Sequence, residues 1–300
     1  MKELVIISGK GGTGKTSITA AFASLAERCV LADCDVDAAD LHLIMKPQIL
    51  RSESFSGGSR AEIQAESCLA CARCAHVCRF DAISLTGPAN DFAVRSFAVD
   101  PISCEGCGVC ERVCPAGAIK FAPAVNGQWF ESNTRFGTML HAKLGIAEEN
   151  SGKLVSLLRK EARITAEKEQ CDLLIVDGSP GIGCPVIASV TGADLLLIVT
   201  EPTLSGLHDL QRVAKLAKGF GLPAMVCVNK ADINPQMTER ICEIAAELSF
   251  EVAGKIPYDN SFTAAQIEGQ SLIEYGASEA THLITRMWRG IEERLEIKHN

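Results

Sequence analysis

The sequence predicts an α/β fold, in which a mostly parallel sheet has helices on both faces and a small, cysteine-rich α+β domain is inserted. Near both ends of the chain, short apolar runs alternate with helical stretches. Continuous apolar strands of this kind are typical of a parallel sheet that is covered on both faces. Between these two parts the alternation stops, and eight of the 14 cysteines fall from Cys68 to Cys114.

The predicted elements of the sheet come from two parts of the chain. The first part reads as a strand, a glycine-rich turn, a helix and a strand, at Leu4–Ile7, residues 9–16, Ile18–Glu27 and Cys29–Ala32. The second part contributes four apolar strands, at Leu173–Val176, Leu195–Val199, Met225–Val228 and Val252–Ile256. Helical stretches separate these strands and include Leu207–Phe220 and Met237–Leu248. The shared alternation predicts that both parts belong to one sheet.

The middle of the chain contains an internal repeat. Residues 67–78 return 36 positions later as residues 103–114, with the cysteines at the same spacing. A doubled unit within a sheet sequence indicates an inserted domain, which a surface loop tolerates at little cost in loop-closure entropy. We therefore predict an insert at residues 61–122, within a host domain made of residues 1–60 and 123–300.

The segments that flank the repeat have weaker patterns. Residues 49–66 are predicted to form a β-hairpin that turns at Gly57-Gly58. Residues 122–150 are expected to be irregular, apart from a strand around Trp129. A charged helix is expected from Lys153 to Lys168.

Composition and charge narrow the class of protein. The net charge is −8, and no basic stripe indicates a nucleic-acid partner. An acidic chain is repelled by anionic membranes, and its apolar runs are far shorter than the ~20 residues that span a bilayer. Because no leader sequence precedes Leu4, we expect a cytoplasmic protein. That compartment keeps thiols reduced, so the cysteines point to metal rather than to disulfides.

Residues 9–16 form a phosphate-binding turn. They fit the Walker A pattern, and they follow a predicted strand and open a helix, as that pattern requires. The residues expected to hold the nucleotide are Gly9, Gly11, Gly12, Thr13, Gly14, Lys15, Thr16 and Ser17. The glycines let successive N–H groups curl around the phosphates, and the helix N-terminus adds a favourable dipole. Lys15 is expected to reach the β- and γ-phosphates, and Thr16 to bind Mg²⁺.

The repeated cysteines have the spacing of bacterial ferredoxins. Three cysteines of each Cys-x2-Cys-x2-Cys-x3-Cys run bind one [4Fe–4S] cluster, and the fourth binds the other cluster. The first cysteine set is therefore Cys68, Cys71, Cys74 and Cys114, and the second cysteine set is Cys104, Cys107, Cys110 and Cys78. A pair of zinc knuckles is the alternative, but zinc sites have no use for the crossed fourth cysteine.

The first run departs from the ferredoxin pattern at Arg79, where proline usually follows the fourth cysteine. The spacing of the ligands is unchanged, so we expect them to be intact. A cation at this position would stabilise a reduced cluster and raise its potential, whereas an arginine directed into solvent would not. Both interpretations are open from the sequence.

The second lysine of the phosphate-binding turn narrows the family. With Lys10 ahead of Lys15, the turn resembles that of the deviant Walker A ATPases: MinD, ParA, the Mrp-type cluster carriers and the nitrogenase iron protein. Over nearly all of its 300 residues, the chain resembles MinD-superfamily P-loop ATPases with an inserted ferredoxin domain. The resemblance implies ATP hydrolysis by a homodimer, or a heterodimer of close paralogues, that closes over two nucleotides. Lys10 would then reach the partner's phosphates, much as an arginine finger does.

The resemblance also implies roles for residues at the ends of predicted strands. Asp35 would orient the attacking water, and Asp177 would hold Mg²⁺ through water, as parts of the two switches. Asn229 would hydrogen-bond the adenine, and Pro257 and Tyr258 would line the other side of the base. The Asn-Lys-x-Asp pattern that begins at Asn229 also suits GTPases, so the choice of ATP rests on the resemblance alone.

The C-terminal stretch carries an apolar stripe at helical spacing, formed by Leu283, Ile284, Met287, Trp288, Ile291 and Leu295. MinD relatives end in a membrane-binding helix, whose polar face should be basic. The polar face here mixes glutamates with arginines. We therefore expect this helix to pack on the sheet, and a membrane partner is not expected.

The predicted cofactors are ATP, Mg²⁺ and two [4Fe–4S] clusters, and the predicted partner is a redox or cofactor-assembly protein. The leading hypothesis is that nucleotide-driven dimer switching gates electron transfer, because one chain carries both a hydrolysis switch and two clusters. An ATPase that moves iron–sulfur clusters or metal cofactors onto clients is an alternative, although full four-cysteine ligation favours stable clusters. A third is a MinD-like positioning ATPase with structural clusters.

Overall fold

The computed structural model describes residues 1–145 and 151–297. The strands in chain order are β1 (Lys2–Ser8), β2 (Val30–Asp33), β3 (Gln48–Ile63), β4 (Ile83–Ser84), β5 (Ala98–Val99), β6 (Ile119–Thr134), β7 (Gly137–Leu144), β8 (Leu173–Pro180), β9 (Leu195–Thr200), β10 (Ala224–Asn229) and β11 (Glu251–Ile256). The helices are α1 (Lys15–Leu25), α2 (Leu41–Met45), α3 (Arg73–Val77), α4 (Val109–Val113), α5 (Ser151–Lys168), α6 (Cys184–Val190), α7 (Leu204–Gly219), α8 (Pro235–Glu247), α9 (Ser261–Glu268), α10 (Leu272–Tyr275) and α11 (Glu279–Leu295).

The chain divides into two compact units. Unit 1 consists of Met1–Glu53, Trp129–Lys143 and Ser151–Asn300, within the described ranges. Unit 2 consists of Ser54–Gln128 and Leu144–Asn150, of which residues 146–150 lie outside the described ranges. Unit 2 begins earlier and ends later than the predicted insert at residues 61–122, because the long strands β3 and β6 extend beyond those limits.

The pairing of the strands can be compared with the mostly parallel sheet that the sequence predicts. Nine strands pair in the order β11-β10-β9-β1-β8-β2-β7-β6-β3. The six neighbouring pairs from β11 to β7 are all parallel. The predicted α/β class with a mostly parallel central sheet is therefore confirmed.

Helices cover both faces of the sheet in unit 1. Alternate residues of β1, including Leu4 and Ile6, pack into one core cluster with residues of α1 and α11. Helices α5, α6 and α7 contact β2, β8 and β9. All four residues of Leu4–Ile7 have 0% exposure, although neighbouring side chains point to opposite faces. Burial on both faces explains why these strands read as continuous apolar runs.

Two predictions for the segments around the repeat are wrong. Residues 49–66 are not a hairpin, since they lie largely in the single strand β3, and neither Gly57 nor Gly58 has a positive φ. The Gly57 N–H donates to the side-chain oxygen of Asn126 at 2.8 Å instead. Residues 122–150 are not mainly irregular, because β6 and β7 occupy most of the described part. The first seven residues of β3 are all exposed, so no alternating pattern marked this strand.

The apolar stripe near the C-terminus lies in helix α11. Ile284, Met287, Trp288, Ile291 and Leu295 are at most 3% exposed and belong to the core cluster of unit 1. The ring of Trp288 lies 5.0 Å from that of Phe22 in α1, centroid to centroid. The predicted packing of this helix on the sheet is confirmed. Among the described residues, no helix is both long and apolar enough to cross a membrane.

Unit 2 contains the two cysteine runs in matching local structures. The short helices α3 and α4 each begin after a residue with positive φ, Ala72 or Gly108, and each ends at the fourth cysteine of its run. The helices contact each other, and β4 pairs with β5 in an antiparallel two-stranded sheet. The core of the unit is built from cysteines and a few apolar side chains: Ala61, Cys68, Cys74, Ile83, Phe97, Cys110, Ala118 and Ile119.

Equivalent positions of the two runs differ in backbone strain, which predicts opposite effects of two substitutions. Ala70 has φ 51°, and its equivalent, Gly106, has φ 62°. A left-handed alanine costs roughly 1–2 kcal/mol, so we expect Ala70→Gly to stabilise unit 2 by about 0.5–1 kcal/mol after the entropy cost of glycine. A Cβ at Gly106 would lie 2.1 Å from the carbonyl oxygen of Ser59, so Gly106→Ala should destabilise the unit by about 2 kcal/mol or more.

Hydrogen exchange of residues 54–128, followed by mass spectrometry, measures both effects, because the slowest amides report the stability of the unit. Gly108→Ala serves as the control, since a Cβ there meets nothing within 4 Å and only the positive φ of 78° opposes it. Equal losses in Ala70→Gly and Gly106→Ala would contradict the strain argument.

Candidate functional site

The phosphate-binding turn lies between β1 and helix α1, at the carboxyl end of a central parallel strand. Gly14 caps α1 with φ 90°, and a Cβ on it would lie 2.3 Å from the amide nitrogen of Asn229. Gly9 is equally confined, since its Cβ would lie 2.2 Å from that of Asp209. Glycine is therefore required at both positions, for backbone conformation at the first and for space at both.

Lys15 is the centre of a buried polar network. Its Nζ donates to Asp177 Oδ1 at 2.8 Å and lies 3.4 Å from Asp35 Oδ2. Thr16 Oγ1 donates to the other oxygen of Asp177 at 2.8 Å, and Thr19 Oγ1 donates to Oδ1 at 3.0 Å. Burial opposes the ammonium charge, but the neighbouring carboxylates outweigh it and raise the pKa of Lys15. The network places the predicted phosphate ligand against the predicted magnesium residues.

Two further aspartates stand beside this network. Asp33, at the end of β2, is opposite Asp177 in the register of β2 and β8. It is fully buried, and its Oδ2 has no hydrogen-bond partner. Burial and the nearby Asp177 carboxylate raise the pKa of Asp33 well above its usual range. Burial also raises the pKa of Asp35, against the opposing effect of Lys15. Carboxylates held in this way suit a divalent cation close by, since hard oxygens are the ligands of Mg²⁺.

Lys10 does not line the cavity. It forms an ion pair with Glu201, whose other oxygen lies 3.3 Å from Lys230 Nζ. Lys230 Nζ also donates to the carbonyl oxygen of Gly12 at 3.1 Å. Burial opposes the charge of Glu201, but hydrogen bonds from the two lysines outweigh it and lower the pKa of Glu201. The glutamate thus holds Lys10 in place within its own chain.

A cavity of about 500 Å³ opens above the turn. The predicted residues that line it are Gly11, Gly12, Thr13, Gly14, Lys15, Thr16, Ser17, Asp35, Asn229, Pro257 and Tyr258. Of the other predicted residues, Asp177 lies below Lys15 and Thr16, Lys10 turns to Glu201, and Gly9 packs against Asp209. The fold therefore brings the predicted phosphate and base residues to one opening.

The contacts of Asn229 differ from the predicted one. Its Nδ2 donates to the carbonyl oxygen of Thr13 at 2.8 Å, and the residue is 4% exposed. In this structure Asn229 therefore supports the phosphate-binding turn, and its contact with a base stays a prediction. Asp232 accepts the Tyr258 N–H at 2.6 Å and so fixes the segment that carries Tyr258, which is 53% exposed at the cavity.

The sequence analysis missed Glu201 and Thr19. Glu201 directly follows β9, so it could have been found by asking which acidic residues follow each strand, as Asp177 was. Thr19 is one helical turn after Lys15 and faces the same carboxylate, a spacing that periodicity could have indicated.

The eight clustered cysteines line two cavities in unit 2. One small cavity, of about 20 Å³, is lined by the first cysteine set: Cys68, Cys71, Cys74 and Cys114. The other, also of about 20 Å³, is lined by the second cysteine set: Cys78, Cys104, Cys107 and Cys110. Each cavity thus contains three cysteines of one run and the fourth cysteine of the other run. This is the crossed arrangement that the spacing predicts.

The surroundings of these thiols test whether an iron–sulfur group fits. Cys114 accepts the N–H of Ala118 at 3.4 Å. Burial raises the pKa of Cys74 and Cys110, and the nearby thiols of the same set act in the same direction. Grouped soft ligands that accept N–H donors fit a thiolate-bound cluster.

The described residues contain no group of three or more His, Cys, Asp or Glu side chains that converges on a single metal ion. The ligands of a cubane bind four different irons, so they do not share one point. Arg79, the departure from the ferredoxin pattern, is exposed and lines neither cavity. Its exposure agrees with an arginine that is directed into solvent.

Comparison with known proteins identifies the nucleotide-binding part. Residues 4–273 match the family model described as the CobQ/CobB/MinD/ParA nucleotide binding domain. An uncharacterized protein of Methanocaldococcus jannaschii is 34% identical over 77% of this chain and 79% of its own length. A second uncharacterized protein of that organism is 26% identical over 92% of this chain and 94% of its own length.

Solved structures agree with the fold of the chain. The septum site-determining protein MinD of Pyrococcus horikoshii, complexed with Mg-ADP, has a TM-score of 0.59 at 16% identity. It covers 100% of this chain and 99% of that one. The MinC:MinD cell division complex of Aquifex aeolicus gives 0.56 at 19% identity, over 98% of this chain and 96% of that one. These likenesses establish the fold.

Proposed function

This chain belongs to the family of CobQ/CobB/MinD/ParA nucleotide-binding domains, and from that premise we propose that it hydrolyses ATP and couples the nucleotide state of a dimer to electron transfer through two [4Fe–4S] clusters. One observation carries the proposal. The same chain holds a phosphate cavity built on buried Lys15 and Asp177, and a unit with two cavities, each lined by one crossed cysteine set.

Each residue of the phosphate cavity has a proposed role in hydrolysis to ADP and phosphate. Lys15 would bind the β- and γ-phosphates, and Thr16 would bind Mg²⁺. Asp177 contacts both side chains and would hold the ion through water. Asp35 lies at the edge of the same cavity and would orient the attacking water. Pro257 and Tyr258 would line the adenine.

Dimer formation would complete the catalytic set. Two copies, or two close paralogues, would close over two nucleotides, and Lys10 would leave Glu201 to reach the partner's phosphates. A lysine there would neutralise charge that develops in the transition state. Because Glu201 holds Lys10 in the single chain, hydrolysis would depend on the concentration of the dimer.

The two cysteine sets would hold the clusters, one in each cavity. When bound, a [4Fe–4S] cluster accepts and releases one electron. The N–H of Ala118 would stabilise the thiolate of Cys114. Cys71 and Cys107 are the exposed members of the two sets, so each would bring one corner of a cluster to the surface, where a redox partner can approach.

Exposure of Cys71 and Cys107 also supports a second candidate, an ATPase that delivers clusters or metal cofactors to a client protein. Delivery requires clusters that leave readily. A complete set of four cysteines for each cluster favours retention, so electron transfer is the better-supported function. In either case, segments after Asp35 and Asp177 would change with the γ-phosphate and act on unit 2.

Anaerobic purification followed by an iron count and an EPR redox titration, with and without Mg-ATP, tests the proposal. We expect about eight irons per chain and two reducible cubanes. At least one midpoint potential should shift when the nucleotide binds, because binding and reduction are linked equilibria. As a control, Lys15→Met should abolish the nucleotide effect and leave the iron count unchanged.

The outcomes separate the candidates. Two stable clusters whose midpoint potentials do not change when nucleotide binds would rule out coupled electron transfer. That result would favour a positioning ATPase with structural clusters. Loss of iron to an apo-ferredoxin acceptor on addition of Mg-ATP would favour cofactor assembly. About four irons, or zinc in place of iron, would contradict the assignment of the two cysteine sets.

A further inference from the structure

The two cysteine cavities of unit 2 are lined by opposite charges. In the repeat, Leu69 and Arg73 of the first run correspond to Glu105 and Val109 of the second. Arg73 lines the cavity of the first cysteine set, and Glu105 lines the cavity of the second. Among the residues that line these two cavities, all of which are described, no other side chain is acidic or basic apart from the cysteine thiols.

Resting on the proposed function, we infer that the cluster of the first cysteine set has the higher reduction potential and receives electrons from the cluster of the second set. One electron leaves the reduced cluster at the second set, which is oxidised, and enters the oxidised cluster at the first set, which is reduced. No bond changes, no proton moves and no further reactant is needed.

The physical cause is the charge that reduction adds. A four-cysteine cluster is already anionic, and one electron makes it more so. The guanidinium of Arg73 lowers the free energy of the reduced form at the first set, while the carboxylate of Glu105 raises it at the second. Arg73 therefore raises the potential at the first set, and Glu105 lowers the potential at the second set.

Other features of the two cavities are similar. Cys74 and Cys110 are equivalent in the repeat, and both are 8% exposed. One exposed cysteine, Cys71 or Cys107, belongs to each set. The sets differ in that Ala118 donates its N–H to Cys114 of the first set at 3.4 Å, which also stabilises a reduced cluster there, and in that Cys68 is buried whereas its equivalent, Cys104, is half-buried. Arg73 and Glu105 are the lining side chains of opposite charge, and we assign the order of the potentials to them.

The order of the potentials assigns a different redox partner to each exposed cysteine. A one-electron donor would meet the protein beside Cys107, and a one-electron acceptor would meet it beside Cys71. Arg73 and Glu105 are both exposed, so salt should screen their effect and narrow the difference between the potentials.

The test exchanges residues between the two runs in the full-length, cluster-loaded protein. Arg73→Val and Glu105→Leu each introduce the residue that the other run has at that position. EPR redox titration of the wild type should show two transitions that differ by at least tenfold in the equilibrium constant, or about 59 mV for one electron. Arg73→Val should lower only the higher potential, Glu105→Leu should raise only the lower one, and the double variant should bring them together.

Matched controls remove a charge of the same sign outside the cavities. Arg79→Val and Glu111→Leu alter residues that are next to cysteines in the sequence but that line neither cavity. Arg79→Val should therefore shift the potentials by less than Arg73→Val, and Glu111→Leu by less than Glu105→Leu. Equal wild-type potentials, or a shift of the wrong transition in either cavity variant, would overturn the inference and leave the proposed function intact. Fewer than two cubanes by EPR and iron count would overturn the proposed function, and the inference with it.

Discussion

Replacing Lys10 by alanine is expected to slow ATP hydrolysis by about 10³-fold or more, the range found when a phosphate-neutralising cation in trans is removed. Nucleotide binding should change little. Lys10 is not among the residues that line the phosphate cavity, and its contact within the chain is with Glu201. Hydrolysis would therefore lose a charge that acts only in the transition state, whereas ground-state binding keeps Lys15 and Thr16.

The measurement is steady-state hydrolysis of Mg-ATP over a range of protein concentrations, with Mg-ADP binding followed by calorimetry. The wild type should gain specific activity as concentration rises, because two chains form each site. Lys10→Ala should stay slow throughout. Lys255→Ala is the matched control, since that lysine forms a single exposed ion pair with Glu239 at 2.7 Å and lies outside the cavity. A Lys10→Ala enzyme as fast as this control would remove the trans-acting lysine from the mechanism.

Replacing Lys15 by methionine is expected to destabilise unit 1 by about 3–5 kcal/mol in the absence of nucleotide, because it removes one partner of a buried ion pair. Lys15 is 5% exposed and Asp177 is 1% exposed. Without the ammonium group, Asp177 retains hydrogen bonds only from the hydroxyls of Thr16 and Thr19. Asp33 and Asp35 also lose the positive charge that offsets their carboxylates.

Urea unfolding followed by tryptophan fluorescence measures this loss. Both tryptophans, Trp129 and Trp288, belong to unit 1, so the signal reports that unit. Asp177→Asn combined with Lys15→Met should lose less than the sum of the two single changes, since the pair is removed together. Lys2→Met is the control, because its ion pair with Asp194 is exposed and should contribute about 0–1 kcal/mol. Additive losses at positions 15 and 177 would show that the two residues are not energetically coupled.

The sequence alone determined the class of the fold and the position of the glycine-rich turn between a strand and a helix. Strands such as Leu4–Ile7 are visible because they are buried on both faces and therefore apolar throughout. The exposed start of β3 carries no such signal, and a pair of glycines within it was interpreted as a turn. Because the first residues of β3 are exposed on both faces, they do not alternate between apolar and polar side chains. Only the folded sheet shows that this strand is exposed.

The crossed grouping of the eight cysteines was also predicted by their spacing, because in bacterial ferredoxins the fourth cysteine of each run binds the cluster of the other run. Tertiary structure decided what the spacing could not express. It brought Glu201, which follows β9, into an ion pair with Lys10, which follows β1. It also made Asn229 a hydrogen-bond donor to the phosphate-binding turn. It also placed Arg73 and Glu105, but not Arg79, among the residues that line the two cavities. Local sequence fixes which groups a turn offers, whereas the partners of those groups depend on contacts between distant segments that only the folded chain brings together.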